Sequence, residues 1–304
     1  MKKKIILVLL SMCLSVSAAA CGSSESEPSG NTSEDNVTSE AETSEQDSKI
    51  DEEVQTEITV NEQELFNENG ITITAKGFSN DGIFGPEVNV LIENNSDKNI
   101  TVQTRNSSVN GYMVDFQISS EVAPGKKIND SMILMNTDLE NSGISTICDM
   151  EFSFHIFDSD SWDTFVDSEP IIVNTSASGT YEQNYDDSGD VIFDNNDIKI
   201  ISKGISENDS LMGPALYLYI ENNSDKDITV QSRDTSIDGF MIEPIFSSDV
   251  ISGKKAVDTM VIMSTDIEDN GIEAIEEIET SFHIFDTDSW DTIVDTDPII
   301  IKCN

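Results

Sequence analysis

The chain has 304 residues, with 16 Lys+Arg against 59 Asp+Glu and a formal charge of −43. That balance excludes a nucleic-acid binder, because phosphate contacts need cations and counterion release. It equally excludes docking on anionic lipid through a basic patch. The hydrophobic fraction of 37% still supplies a core, and the length suggests about two domains.

The chain opens with Lys2, Lys3 and Lys4, followed by an apolar run from Ile5 to Val16. Those 12 residues are too few to cross a hydrocarbon core of ~30 Å as a helix. Small residues Ser17 to Ala20 then precede Cys21, the pattern of a signal-peptidase site. Ser17-Ala18-Ala19-Ala20-Cys21-Gly22 resembles the lipobox of bacterial lipoproteins, departing from it at Ala18, where that family usually has Leu. The resemblance implies a diacylglycerol thioether on Cys21, cleavage in front of it, and a mature chain on the outer face of the bacterial cell membrane. An ordinary secretory signal with an incidental Cys21 is the alternative. Cleavage removes three lysines, leaving 13 − 59 = −46.

Residues 21–63 read as an acidic Ser/Glu-rich stalk. Between Gly22 and Ser48 there is no aromatic residue, and Val37 and Ala41 are the only aliphatic ones. Such a segment cannot bury enough surface to offset its ordering entropy, so disorder is expected.

Beyond the stalk the chain repeats itself. Glu93–Met113 recurs as Glu221–Met241 with 14 of 21 positions identical, and Ser153–Val173 recurs as Ser281–Ile301 with 16 of 21. The offset is 128 residues, or 127 for the first strand, because Gly77–Gly85 is one residue shorter than Gly204–Gly213. An insertion there indicates a loop. The period exceeds that of solenoid repeats, which points to a duplicated domain, with copies at 64–174 and 190–304 joined by a linker at 175–189.

Within each copy the apolar period is two. Ile71/Ile73/Ala75, Val88/Val90/Ile92, Ile100/Val102 and Phe152/Phe154/Ile156 alternate with polar neighbours, and Leu216/Leu218/Ile220 repeat the second set. These are half-buried strands. Asn110-Gly111 and Asp238-Gly239 predict type I′ hairpins, and Pro124-Gly125 predicts another turn. Thr137–Ile144 and Thr265–Ile272 are the only candidates for a helical turn. The expected fold is all-β: tandem antiparallel sandwiches of about seven short strands each. The strand ending at Glu93, the ENNSDK turn, the ITVQ strand, Pro124–Lys127 and the FHIFD strand together resemble the immunoglobulin-like domains of unknown function in Gram-positive surface lipoproteins. The resemblance implies a fold and an extracellular setting, and no activity.

Candidate site residues lie mostly in one hairpin. Asp158, Asp160 and Asp163, repeated as Asp286, Asp288 and Asp291, could converge on Ca²⁺ as oxygen ligands. Against that, Trp162 occupies a ligand position and Asp163 replaces the glycine of an EF-hand loop, so an acidic turn capped by its own Asp side chains is the preferred reading. Trp162 and Trp290 could stack on a sugar or anchor a protein partner; the preferred reading is a lid over the end of the sandwich. His155 and His283, without a second His or Cys nearby, read as sheet-surface residues. Arg105 and Arg233 read as partners of nearby carboxylates. Tyr217 and Tyr219 replace Asn89 and Leu91 of the first copy and suggest an interdomain or partner surface. Cys148 and Cys303 read as inert thiols, with a disulfide as the alternative.

No catalytic constellation is present: there is no G-x-S-x-G, no H-E-x-x-H and no Ser/His/Asp set. The expectation is a non-enzymatic, cofactor-free binding or adhesion module, tethered to the membrane through Cys21, that meets a protein or glycan. The alternatives are a spacer without a ligand and a calcium-binding surface domain.

Overall fold

The computed structural model describes residues 58–206 and 212–303. The signal segment, Cys21 and most of the stretch read as a stalk lie outside them. The fold is all-β, with two short helices, and no helix of the described residues is long and apolar enough to cross a membrane.

The first copy runs β1 (Gln63–Glu68), β2 (Ile71–Ser79), β3 (Glu87–Asn94), β4 (Ile100–Val109), β5 (Tyr112–Met113) and β6 (Phe116–Gln117). It continues with β7 (Ser119–Val122), β8 (Lys126–Leu134), α1 (Asn136–Asn141), β9 (Asp149–Asp158), β10 (Thr164–Asp167) and β11 (Ile171–Asn174). The second copy runs β12 (Asp190–Asn195), β13 (Ile198–Ser206), β14 (Ala215–Asn222), β15 (Ile228–Ile237), β16 (Phe240–Met241) and β17 (Ser247–Val250). It closes with β18 (Lys255–Val261), α2 (Ser264–Asn270), β19 (Glu277–Asp286), β20 (Thr292–Asp295) and β21 (Ile299–Lys302).

The pairing scheme occurs twice. In the first copy β1-β2-β3-β8-β6 form one sheet, while β4 pairs with β5, β7 and β9, and β9 pairs with β10 and β11. In the second, β12-β13-β14-β18 and the group around β15 and β19 repeat this pattern. Alternation places the expected residues inward: Ile71, Ile73, Ala75, Val88, Val90, Ile92, Phe152, Phe154 and Ile156 are at most 1% exposed. Two apolar clusters result, one per copy.

The turns follow their sequences. Asn110 and Gly111 have φ of 50° and 83°, and Asp238 and Gly239 have 49° and 86°, as a type I′ turn requires. The one-residue insertion falls between β13 and β14. The ENNSDK turn is organised by a buried asparagine. Asn94 Nδ2 donates to the Lys98 and Val122 carbonyls, both at 2.7 Å, and its Oδ1 accepts from Ser96 N–H at 2.9 Å. Asn222 repeats the arrangement with Lys226, Val250 and Ser224, again satisfying two carbonyls and one backbone N–H that would otherwise be costly to bury. Ordered contacts also reach back into the stretch read as stalk, where Val60 is buried and Thr59 exchanges two hydrogen bonds with Ser176.

Both copies belong to one compact unit, and their sheets are continuous. A parallel bridge between Tyr112 and Lys255 joins β5 to β18, so the second sheet of the first copy and the first sheet of the second form one ten-stranded sheet. Lys255 N–H donates to the Gly111 carbonyl at 3.0 Å. Tyr112 packs edge-on against Tyr219, and Ile201 and Val257 join the first copy's apolar cluster. Residues of the linker seal the joint. Tyr185 lies 5.4 Å from the Tyr112 ring, donates its hydroxyl to the Asn110 carbonyl at 2.9 Å, and carries Lys255 Nζ 4.3 Å from its ring centroid. A Cβ at Gly111 would meet that hydroxyl at 2.9 Å, so both the turn and the close approach require glycine there.

Candidate functional site

The joint settles the tyrosine pair of the second copy. Tyr219 is 1% exposed and faces Tyr112, so it is an internal contact between the copies and no outside partner can reach it. Tyr217 is half-buried on the same strand. The outer face of β14 looks open in its own sequence and is covered only because β5 of the other copy reaches it.

The acidic hairpins are turns held by their own carboxylates. Asp158 Oδ1 accepts the backbone N–H groups of Asp160 and Ser161 at 3.0 and 3.2 Å, while Oδ2 meets Lys98 Nζ at 2.8 Å. Asp286 does the same with Asp288, Ser289 and Lys226. Lys98 therefore holds the Asp158 carboxyl below the usual range, and Lys226 takes that of Asp286 down to about 2. With those oxygens occupied and Asp160 and Asp163 exposed, the six aspartates do not converge on a cation. No group of three His, Cys, Asp or Glu side chains does so among the described residues.

The same turns throw their tryptophans outward. Trp162 and Trp290 both have φ of 64°, a left-handed conformation that is rare and costly for a bulky residue. The strained backbone is fixed on both sides: Trp162 N–H donates to the Asp158 carbonyl at 2.8 Å, and Asp158 N–H donates to the Asp163 carbonyl at 3.0 Å. The indoles are 76% and 74% exposed, which overturns the reading of a lid over the end of the core. Each covers an outward-facing phenylalanine instead, Phe157 at 5.5 Å and Phe285 at 5.4 Å, stacked with an interplanar angle of 17° in both copies. The other face of each indole is left to solvent.

Beside each phenylalanine stands a histidine, completing a row of three rings. His155 lies 5.4 Å from Phe157, and His283 lies 5.0 Å from Phe285. The imidazoles are anchored through Nδ1, 2.5 Å from Asp167 Oδ1 and from Asp295 Oδ1 respectively. Arg233 adds a contact of 3.7 Å to Asp295. The cross-strand register brings Thr101, Gln103 and Arg105 opposite Phe157, His155 and Ser153, and it repeats this with Thr229, Gln231 and Arg233. A cleft of about 570 Å³ opens beside the first face, lined by Gln103, Asp115, Phe116, Ser119 and Asp130 among others. A smaller one, of about 300 Å³, lies next to Arg233 and Asp234. Burial raises the Asp115 carboxyl above its ordinary range.

This surface was missed as a unit when the residues were considered singly, yet the duplication carries a signal for it. Several core positions differ between copies, as in Val88/Leu216, Val90/Leu218, Ile128/Ala256, Met150/Ile278 and Phe152/Thr280, while others, such as Ile100/Ile228, Val102/Val230 and Phe154/Phe282, are identical. On the outward face, Thr101, Gln103, Arg105, Ser153, His155, Phe157, Trp162 and Asp167 are each identical to their counterparts. His155 and Phe157 are 7% and 6% exposed, so His155 is no open sheet-surface residue and packing accounts for the identity of both. It does not account for that of the exposed Arg105, Trp162 and Asp167, where recognition does.

Chemically, the face offers an open aromatic plane bordered by amide, hydroxyl, guanidinium and carboxylate groups. Among the described residues the hydrogen-bond partners given for the two imidazoles are the carboxylates of Asp167 and Asp295. Cys148 and Cys303 are both free, and Cys148 is buried under the linker with its thiol pushed up by desolvation. No protein-family profile matches the chain, and no curated protein is significantly similar to it.

Proposed function

We propose that this chain is a lipid-anchored, extracytoplasmic binding module of the adhesion type, built from two immunoglobulin-like β-sandwiches that present the same recognition face twice. Its partner is a glycan or protein of the cell envelope or its surroundings, and it performs no chemistry of its own. The observation that carries the reading is the pair of strained, solvent-facing tryptophans stacked on Phe157 and Phe285. An indole held open at a backbone cost is an unfavourable way to cover a phenylalanine and a suitable way to present a flat apolar plane to a sugar ring or an aromatic side chain. The duplication supports the same reading, since two weak sites on one chain raise the effective concentration of the second contact. The anchor is inferred from the lysine-led apolar segment and Cys21.

Trp162 and Trp290 are the only two tryptophans, so intrinsic indole fluorescence reports on these faces alone. Titration with cell-envelope polysaccharides and surface proteins should quench or blue-shift that emission for the true ligand. One substitution, Trp162→Ala or Trp290→Ala, should weaken binding about tenfold or more through lost avidity, and the pair should abolish it. A ligand that binds the doubly substituted chain with unchanged affinity would contradict the proposal.

A further inference from the structure

We infer that the edge strand β16 of the second copy is a docking surface for another molecule of this same chain, received on the β8 edge of that molecule's first copy. The precedent lies inside the molecule. In the first copy the equivalent strand, β5, is covered by β18: Tyr112 is 1% exposed, Gly111 accepts from Lys255 N–H, and Glu151 pairs with Lys254. The repeat offset carries every element of that donor edge to the second copy, as Gly239, Phe240, Met241 and Glu279. There β16 pairs with β15 alone, leaving Phe240 45% and Met241 67% exposed.

The receiving edge recurs as well. Lys254 and Lys255 correspond to Lys126 and Lys127, Tyr219 to Leu91, and Lys203 to Lys76. Among the described residues β8 pairs with β3 along its length and with β6 only at Ile133–Leu134, so its edge at Lys126 and Lys127 is open. Lys127 already bonds Glu93, as Lys255 approaches Glu221 at 3.6 Å, and it is 62% exposed where Lys255 is 17% exposed. Within their own copies Lys76 pairs with Glu62, Lys127 with Glu93 and Glu277 with Lys302, so the complementary charges the contact brings together are Lys126 on the receiving edge and Glu279 on the donor tip. The inferred contact therefore has a register. Lys127 N–H donates to the Gly239 carbonyl, Lys126 pairs with Glu279, and Phe240 rests on Leu91. Donor and receiving edges lie in different copies, so the association is head-to-tail and open-ended. Leu91 and Asn129, in place of Tyr219 and Val257, make it weaker than the internal joint.

The test is sedimentation of the chain from Cys21 onward, with Cys21→Ser so that no acyl group drives association, at about 0.15 M salt to screen its net charge. The wild type should self-associate with increasing concentration. Lys126→Glu and Glu279→Lys, made singly, should each weaken association about fivefold or more, and together they should restore it to within about twofold. Phe240→Glu should weaken it as well, with melting temperature as the control for folding. A chain that stays monomeric up to about 1 mM, or association indifferent to both charge swaps, would overturn the inference.

Discussion

The two copies differ where they meet and share one row of side chains on an outer sheet face. At the joint, Tyr219, Ile201 and Val257 stand where the first copy has Leu91, Thr74 and Asn129, and Tyr112 becomes Phe240 on the uncovered edge. On the outward sheet face eight side chains are unchanged. Differences at the joint have a packing reason, since only one of each pair of edges is buried. Identity at the exposed Arg105, Trp162 and Asp167 has none, which is why those positions are the best guide to what the molecule recognises.

The sharpest way to break this contrast is at the joint. Tyr219→Ala removes a fully buried aromatic and should cost about 3 kcal/mol in urea unfolding, whereas Leu91→Ala, at the half-buried counterpart, should cost under about 1 kcal/mol. Equal costs would mean that the β5–β18 joint is not formed in solution. Alkali probes the same place. Burial pushes the Tyr112 phenol up to about 12 and raises that of Tyr219, so both stay protonated in the folded chain past the ordinary phenol value of about 10. Stability from the joint is then complete below about pH 10 and is lost as pH rises toward 12. Burial raises Tyr185 of the same joint as well, so phenolate absorbance should report three late-titrating tyrosines, and their loss in Tyr219→Ala would connect the effect to the joint.

A smaller effect belongs to the Lys254–Glu151 pair, which is partly buried. Glu151→Gln should lower stability by about 1 kcal/mol, while Glu279→Gln should leave a monomeric chain unchanged. The outward face is expected to be cheaper still. Replacing Trp162 and Trp290 by Ala loses the stacking on Phe157 and Phe285 while removing a bulky side chain from a left-handed backbone, so each net change should stay within about 1 kcal/mol. At acid pH the depressed carboxyl of Asp286 keeps its turn intact. That contribution is present above about pH 4 and fades only as pH falls toward 2, measurable as late broadening of the Trp290 indole resonance.

Much of the fold was legible because it is local and periodic. The inward runs through Ile71, Val88 and Phe152, the Asn110-Gly111 turn and the α1 stretch each follow from neighbours in sequence. What escaped is non-local. Alternation told that Tyr219 points away from its own core, but only the arrival of β5 from the other copy buries it. The aspartate spacing that suggested calcium serves an Asx turn, and its true counter-ion, Lys98, lies 60 residues upstream. For Trp162, a period-two pattern ends at the turn and says nothing about a backbone at φ of 64°, so lid and platform could not be separated. The identity of the outward residues in both copies was on the sequence from the start, and it gained meaning once the register aligned Gln103 with His155 and Thr101 with Phe157.

The most direct test is a calorimetric ligand titration, with the only two indoles as a second reporter in the intact chain, comparing it with the Trp162→Ala, Trp290→Ala double variant under conditions where both melt at nearly the same temperature. The account predicts saturable binding of an envelope glycan or surface protein that perturbs the indole emission of the intact chain and disappears in the variant. Equal binding by the two folded proteins would contradict it.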